Sequence, residues 1–226
     1  MNAALDNATP DADAKLVAMA RAEMYAGLSR LLASPEQAIA TAWLDHVTIV
    51  ERLLMADEAL STEGNRIAEL FALSQAADLE ESAESIAASV GASYGALFEV
   101  GDRGPPLAIR EELAPGANAA AKEEVARFYE HFGYRLGDDY AWRPDHLSVL
   151  LEFMHFLSWH ESQSPDAALV QGLRAAQRDF CQRHLAWWVG GLADQVATRS
   201  EAHPLLQASL RATKDFIAVE LQSLGD

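Results

Sequence analysis

The residues best suited to chemistry or binding lie in one short segment that ends at a predicted helix start. Asp145 and His146 stand side by side there, with Trp142 just before them and a strongly apolar helical segment just after. Asp145 could serve as the N-cap of that helix, because a carboxylate accepts hydrogen bonds from free backbone N–H groups. Capping by Asp145 leaves His146 and Trp142 unexplained. A loop that presents aromatic, acidic and imidazole side chains between helices could instead bind a peptide.

Two further patterns have the residue types of catalytic or metal sites. Glu152 and His155 form a Glu-x-x-His pair, but a di-iron bundle needs a second such pair and two more carboxylates. We therefore interpret this pair as structural or solvated. Cys181 is the sole cysteine, and its helical apolar surroundings predict a packed thiol rather than a nucleophile.

No phosphate-binding loop, GxSxG elbow or HExxH motif is present in the sequence, and these are the usual signatures of nucleotide, hydrolase and zinc sites. The sequence therefore predicts no cofactor and no metal. A small metal- or nucleotide-dependent hydrolase remains the alternative hypothesis, with Asp145, His146 and Glu152 as its candidate residues.

Charge and composition limit the classes of partner. The chain has 226 residues, 50% of them hydrophobic, and 34 acidic residues against 17 basic ones give a net charge of -17. This charge argues against nucleic-acid binding and favours a basic partner. The single cysteine, the absence of a signal-peptide pattern and the lack of a long apolar run predict a cytoplasmic protein without stable membrane insertion.

The hydrophobic pattern has helical periodicity, and alanine is abundant while β-branched residues are sparse. We therefore predict an all-α bundle of about eight or nine helices. Four of the predicted helices run from about Asp13 to Leu32, from Pro35 to Leu54, from His146 to Trp159, and onward from Pro204.

A Pro/Gly-rich stretch separates two groups of predicted helices. Residues 100–118 contain Gly101, Gly104, Pro105 and Pro106 and then a second Pro-Gly pair, which cannot continue a helix. We interpret this segment as a hinge or linker between an N-terminal half, 1–99, and a C-terminal half, 119–226. A chain of this kind is expected to be a monomer or a domain-swapped dimer.

Several of these residues occur in an arrangement that resembles a known family. The first segment is Pro144-Asp145-His146-Leu147 with Leu151-Glu152-Phe153-Met154, and the second is Tyr94-Gly95-Ala96-Leu97-Phe98 before Pro105-Pro106. Phe180, His184-Leu185 and Trp187 or Trp188 add a weaker match. Together they resemble the TorD/DmsD/NarJ-type chaperones of redox-enzyme maturation, as one TorD-like unit.

The resemblance implies a function that composition alone does not give. Chaperones of this type are not enzymes; they bind the N-terminal region, often a twin-arginine leader peptide, of a molybdopterin-containing catalytic subunit of the dimethyl sulfoxide reductase type. They hold that subunit until its cofactor is inserted and so delay its export. Carried onto this chain, the resemblance singles out Asp145 and His146 for peptide binding, and we predict that Trp142, Tyr94, Phe98 and Glu152 complete the site.

Overall fold

The computed structural model describes residues 12–34, 40–60, 65–99, 104–137 and 143–225. Within these ranges the regular structure is helical and β-pairing is limited to isolated bridges, so the all-α prediction is confirmed. The α-helices are α1 Ala12–Leu31, α2 Ala40–Leu44, α3 His46–Leu60, α4 Ala68–Glu80, α5 Ala83–Phe98, α6 Ala121–Phe132, α7 Leu147–Gln163, α8 Ala167–His184, α9 Val189–Ala197 and α10 Pro204–Ser223. A 3₁₀ turn, Glu111–Leu113, lies between α5 and α6.

The structure has ten α-helices in its described part, more than the predicted eight or nine, because one predicted helix is broken. The broken helix is the one predicted from Pro35 to Leu54. Pro35 itself lies outside the described residues. The described part of this helix ends at Leu44, as α2, and a new helix, α3, begins at His46. The imidazole Nδ1–H of His46 donates to the carbonyl oxygen of Trp43 at 2.8 Å. This contact satisfies a carbonyl that the end of α2 leaves without a helical partner.

Helix α7 occupies the centre of the bundle, and α1 packs along it in the opposite direction. The Ser29 hydroxyl donates to the Ser148 carbonyl at 2.8 Å, and the His155 imidazole donates to the Ala22 carbonyl at 2.9 Å. The partner numbers fall on α1 as they rise on α7, which defines the antiparallel alignment. His155 is thus used in helix packing, in agreement with the structural interpretation of the Glu152–His155 pair.

The hydrophobic core is continuous through both predicted halves of the chain. Tyr25 and Leu28 of α1, Phe153 of α7 and Phe216 of α10 are all buried in one cluster. Each buried aromatic ring of this size removes a large apolar area from water and so stabilises the packing of distant segments. The division into 1–99 and 119–226 remains a prediction.

One glycine allows α1 and α3 to approach closely. A Cβ atom at Gly27 would lie 2.6 Å from the side chain of Leu53, closer than packed carbon atoms tolerate. The position therefore accepts no side chain unless the side chain of Leu53 moves. No helix among the described residues combines the length and apolarity needed to cross a bilayer.

Candidate functional site

The second part of the predicted linker is held against the start of α7. The backbone N–H of Leu147 donates to the Ile109 carbonyl, and that of Glu111 donates to the Asp145 carbonyl, both at 3.0 Å. Arg110 and His146 form the antiparallel bridge between these two contacts. The two segments that the sequence singled out, the linker and the Asp145-His146 pair, are therefore direct neighbours.

Asp145 is fully buried and holds the linker rather than the helix. One carboxylate oxygen accepts the backbone N–H of Glu112 at 2.9 Å, and the other lies 3.6 Å from Nε of Arg110. Burial raises the pKa of Asp145, while the charge of Arg110 opposes this shift. The interpretation of Asp145 as the N-cap of α7 is wrong, because its carboxylate is directed to the linker backbone.

His146 is the residue that caps α7. Its Nδ1 accepts the backbone N–H of Ser148 at 3.2 Å and lies 2.8 Å from the Ser148 hydroxyl. In a neutral imidazole one nitrogen accepts and the other carries the proton. Because Nδ1 accepts, Nε2 carries the proton and donates it to the hydroxyl of Tyr94 at 2.8 Å. Burial, together with the charges of Arg143 and Arg110, lowers the pKa of His146 to about 3. The imidazole is therefore neutral near pH 7.

This depressed pKa gives an expected pH dependence of stability. In the unfolded chain His146 binds a proton below about pH 6.5. In the folded chain it binds this proton only below about pH 3. Between these pH values the unfolded chain therefore holds one more proton. Folding stability therefore decreases as pH falls through this window, by up to about 1.4 kcal/mol per pH unit. We expect His146→Asn to have a shallower slope, because asparagine caps helices and does not titrate.

Urea unfolding of both proteins between about pH 7 and pH 4 measures this difference. All other titrating groups are shared, so their contributions cancel in the comparison. Parallel stability profiles of the wild type and the variant would contradict a neutral, buried His146.

Tyr94 and Phe98 of α5 join His146 around a small cavity. Their rings pack edge to face with centroids 4.9 Å apart, and both side chains are buried. Together with His146 they line a cavity of about 170 Å³, whose wall also includes Arg110 and Arg143. The structure thus brings together Tyr94, Phe98 and His146, and Asp145 reaches the cavity wall through Arg110.

The other two predicted peptide-binding residues are not part of this cluster. Glu152 is exposed further along α7 and lines a separate groove with Arg30 and His155. Trp142 lies outside the described residues. The peptide-binding role of all six residues remains a prediction.

The sequence analysis did not single out Glu111, which is the second carboxylate that holds the linker. Glu111 is buried and accepts hydrogen bonds from Nδ1–H of His184 at 3.0 Å and from the indole N–H of Trp187 at 3.2 Å. These contacts tie the 3₁₀ turn to the end of α8 and the residues after it. Glu111 stands in an Arg-Glu-Glu run that is typical of a solvated surface, so its burial has no local sequence signal.

The groups considered for other chemistry are used structurally. Cys181 is buried, and burial raises the pKa of its thiol to about 12, which disfavours the reactive thiolate. Within the described residues, no set of three or more His, Cys, Asp or Glu side chains is arranged to hold a metal ion.

Comparison with known proteins adds the family. Residues 57–194 match the family described as "Nitrate reductase delta subunit". The chain belongs to this family. The matched region contains α5, the linker, the start of α7 and the Glu111–His184 contact, so the residues of the cavity at His146 lie within it. No solved structure matches the chain.

Curated relatives carry related descriptions. The chain is 30% identical over 142 residues to the selenate reductase assembly chaperone protein of Thauera selenatis, covering 60% of this chain and 74% of the relative. It is 37% identical over 144 residues to the dimethyl sulfide dehydrogenase assembly chaperone protein of Rhodovulum sulfidophilum, covering 57% and 55%. It is 34% identical over 105 residues to the chlorate reductase assembly chaperone protein of Ideonella dechloratans, covering 43% and 52%.

These relatives confirm the resemblance drawn from the sequence. They are described as assembly chaperone proteins for two reductases and a dehydrogenase, so the comparisons do not support the alternative hypothesis of a small hydrolase. The chain spans about half the length of the second and third relatives.

Proposed function

We propose that the protein is a cytoplasmic chaperone for the catalytic subunit of a molybdopterin-containing oxidoreductase. It binds the N-terminal region or twin-arginine leader of that subunit, assists cofactor insertion and delays export. The observation that carries this proposal is the family match over residues 57–194, with three relatives described as assembly chaperones.

The charge of the protein supports a cationic ligand. A net charge of -17 attracts a peptide that carries adjacent arginines and raises its rate of association. The apolar grooves between helices complement the apolar part of such a peptide. The two parts of a leader therefore have separate counterparts on this protein.

The contacts of Asp145 suggest how an arginine is received. Its carboxylate is buried and faces Nε of Arg110 at 3.6 Å, so this site already accommodates a guanidinium, which the linker supplies. A guanidinium from the leader replaces Arg110 at this carboxylate, and the Arg110 side chain moves aside. Peptide binding is thus coupled to displacement of one side chain in the wall of the cavity lined by Tyr94, Phe98 and His146.

Calorimetric titration tests this function with N-terminal peptides of the selenate reductase and dimethyl sulfide dehydrogenase catalytic subunits, each against its scrambled version. We expect at least one peptide to bind, and Asp145→Asn to weaken it by roughly tenfold or more, since hydrogen bonds to charged groups contribute about 1.5–3 kcal/mol.

Glu69→Gln is the matched control, because Glu69 forms an exposed ion pair with Arg211 and neither residue lines the cavity at His146 or faces the linker across it. Binding no stronger than that of the scrambled peptides would contradict the proposed function. Equal affinities of the wild type and Asp145→Asn would remove only Asp145 from the site.

A further inference from the structure

A second groove lies on the other side of the linker, next to the cavity at His146. It has a volume of about 430 Å³ and runs between the linker and the segment from the end of α8 into α9. The larger apolar residues that line it are Pro105, Pro106, Leu113, Trp187, Trp188 and Leu192. We call it the neutral groove, because none of the described side chains that line it is charged.

The absence of charge here contrasts with the rest of the molecule. The protein has a net charge of -17, and the neighbouring cavities are lined by charged groups, including Arg110 and Arg143 on one side and Glu111 and Glu124 on the other. A charged segment that entered the neutral groove would lose water without gaining an ionic partner. The groove therefore favours an uncharged occupant.

Two large apolar side chains are exposed at this groove. Leu113 is 45% exposed and Trp187 is 41% exposed. The indole N–H of Trp187 is already bonded to Glu111, so the ring is held in place. An oriented tryptophan beside an exposed leucine is typical of the anchor positions of a binding surface.

The neutral groove is continuous with the cavity that contains the predicted peptide-binding residues. Pro105 and Leu113 line both. A single polypeptide can therefore contact the cavity at His146 and the neutral groove together, with its charged and apolar parts in adjacent compartments.

We propose that the neutral groove binds the apolar segment of the client's N-terminal region, with Trp187 and Leu113 as its anchor residues. This inference rests on the proposed function and assigns the part of the ligand that each compartment recognises. The cationic residues bind at the Asp145 end of the linker, and the apolar residues that follow them bind along Trp187.

Fluorescence anisotropy with two labelled synthetic peptides tests this proposal on the full chain. Both peptides carry two adjacent arginines; a Leu/Ala segment follows them in the first, and a Ser/Gly segment follows them in the second. We expect the wild type to bind the Leu/Ala peptide at least tenfold more tightly. Trp187→Ala and Leu113→Ser should each abolish most of this preference, while the affinity for the Ser/Gly peptide stays nearly constant.

Matched controls are available for both variants. Trp159 is 42% exposed on α7 and Leu169 is 53% exposed on α8, so Trp159→Ala and Leu169→Ser remove similar exposed surface outside the groove. Melting curves of all four variants verify folding, and Leu113→Ser tests the groove without removing a hydrogen bond to Glu111. Wild-type preference in both groove variants would overturn the neutral-groove proposal and leave the chaperone function standing. Failure of the wild type to bind either peptide would overturn both.

Discussion

Replacement of Arg21 by methionine is expected to lower the free energy of unfolding by about 3–5 kcal/mol, because it leaves the buried Glu220 carboxylate without its cation and weakens the pairing of Glu161. Arg21 of α1 donates to Glu220 of α10 at 2.6 Å and to Glu161 of α7 at 3.0 Å. A third bond, at 2.6 Å, goes to the amide oxygen of Gln177 on α8. One guanidinium thus connects four helices from both predicted halves of the chain.

The size of this effect follows from burial. Both ion pairs of Arg21 are almost inaccessible to solvent, and burial raises the pKa of Glu220 against the opposing charge of Arg21. Without Arg21 the Glu220 carboxylate must bind a proton or admit water, and either response costs stability. Glu161 keeps the partly exposed Arg174 at 3.7 Å.

Chemical denaturation measures the effect, with Arg52→Met as the control. Arg52 pairs with Glu23 at 2.6 Å on an exposed surface, where a single ion pair contributes about 0.2–1 kcal/mol. A loss in Arg21→Met no greater than that in Arg52→Met would show that the buried network does not stabilise the bundle.

Replacement of Glu111 by alanine is expected to release the linker locally. The substitution leaves the ring N–H of the buried His184 without its acceptor, at a cost of about 1–3 kcal/mol, and it also removes the hydrogen bond from the partly exposed Trp187. We expect the free energy of linker opening to be about 2 kcal/mol lower than in the wild type. If opening and closing are faster than cleavage, this difference makes cleavage roughly thirtyfold faster.

Limited proteolysis with thermolysin, followed by mass spectrometry of the fragments, measures this opening at Leu107 and Ile109, which are buried in the intact protein. Glu112→Ala is the matched control, because its half-exposed side chain forms surface ion pairs with Arg110 and Lys122. Its backbone N–H still donates to Asp145 in that variant. Equal cleavage rates in the two variants would contradict the role of Glu111 in holding the linker.

The fold was largely predictable because its signals are local. Pro204 was expected to open the last helix, and it lies at the first position of α10, where the His203 side chain accepts the Leu205 N–H at 3.2 Å. The predicted first helix, from about Asp13 to Leu32, corresponds to α1, Ala12–Leu31. Apolar periodicity and cap residues carry this information within a few residues of sequence.

The site was only partly predictable because its decisive contacts are distant in sequence. Asp145 and His146 were identified as a pair, but nothing local shows that His146 caps α7 while Asp145 holds residue 112. The Glu111–His184 contact joins residues 73 positions apart, and no motif of either segment indicates it. Contacts of this kind are specified by packing of the whole bundle, where tertiary structure overrides local preference.

The described part of the linker is more buried than its composition indicates. A run rich in proline and glycine is typical of an exposed, mobile segment, yet Leu107 and Ile109 are buried and two carboxylates hold residues 110–113. The described part of the linker, residues 104–118, is therefore packed against the bundle, and Asp145 and Glu111 hold it there. This arrangement gives client binding a defined point of action.

Cross-linking mass spectrometry of the tagged protein, purified from its own host cells, tests the central claim most directly. Its three lysines are Lys15, Lys122 and Lys214, and the side chains of Lys122 and Lys214 have similar exposures of 39% and 37%. Only Lys122 of these two lies beside the linker, through its contact with Glu112. We predict that the main cross-linked partner is a molybdopterin oxidoreductase catalytic subunit, joined through its N-terminal region to Lys122 and not to Lys214. Recovery of no such subunit, or cross-links confined to Lys214, would contradict this account.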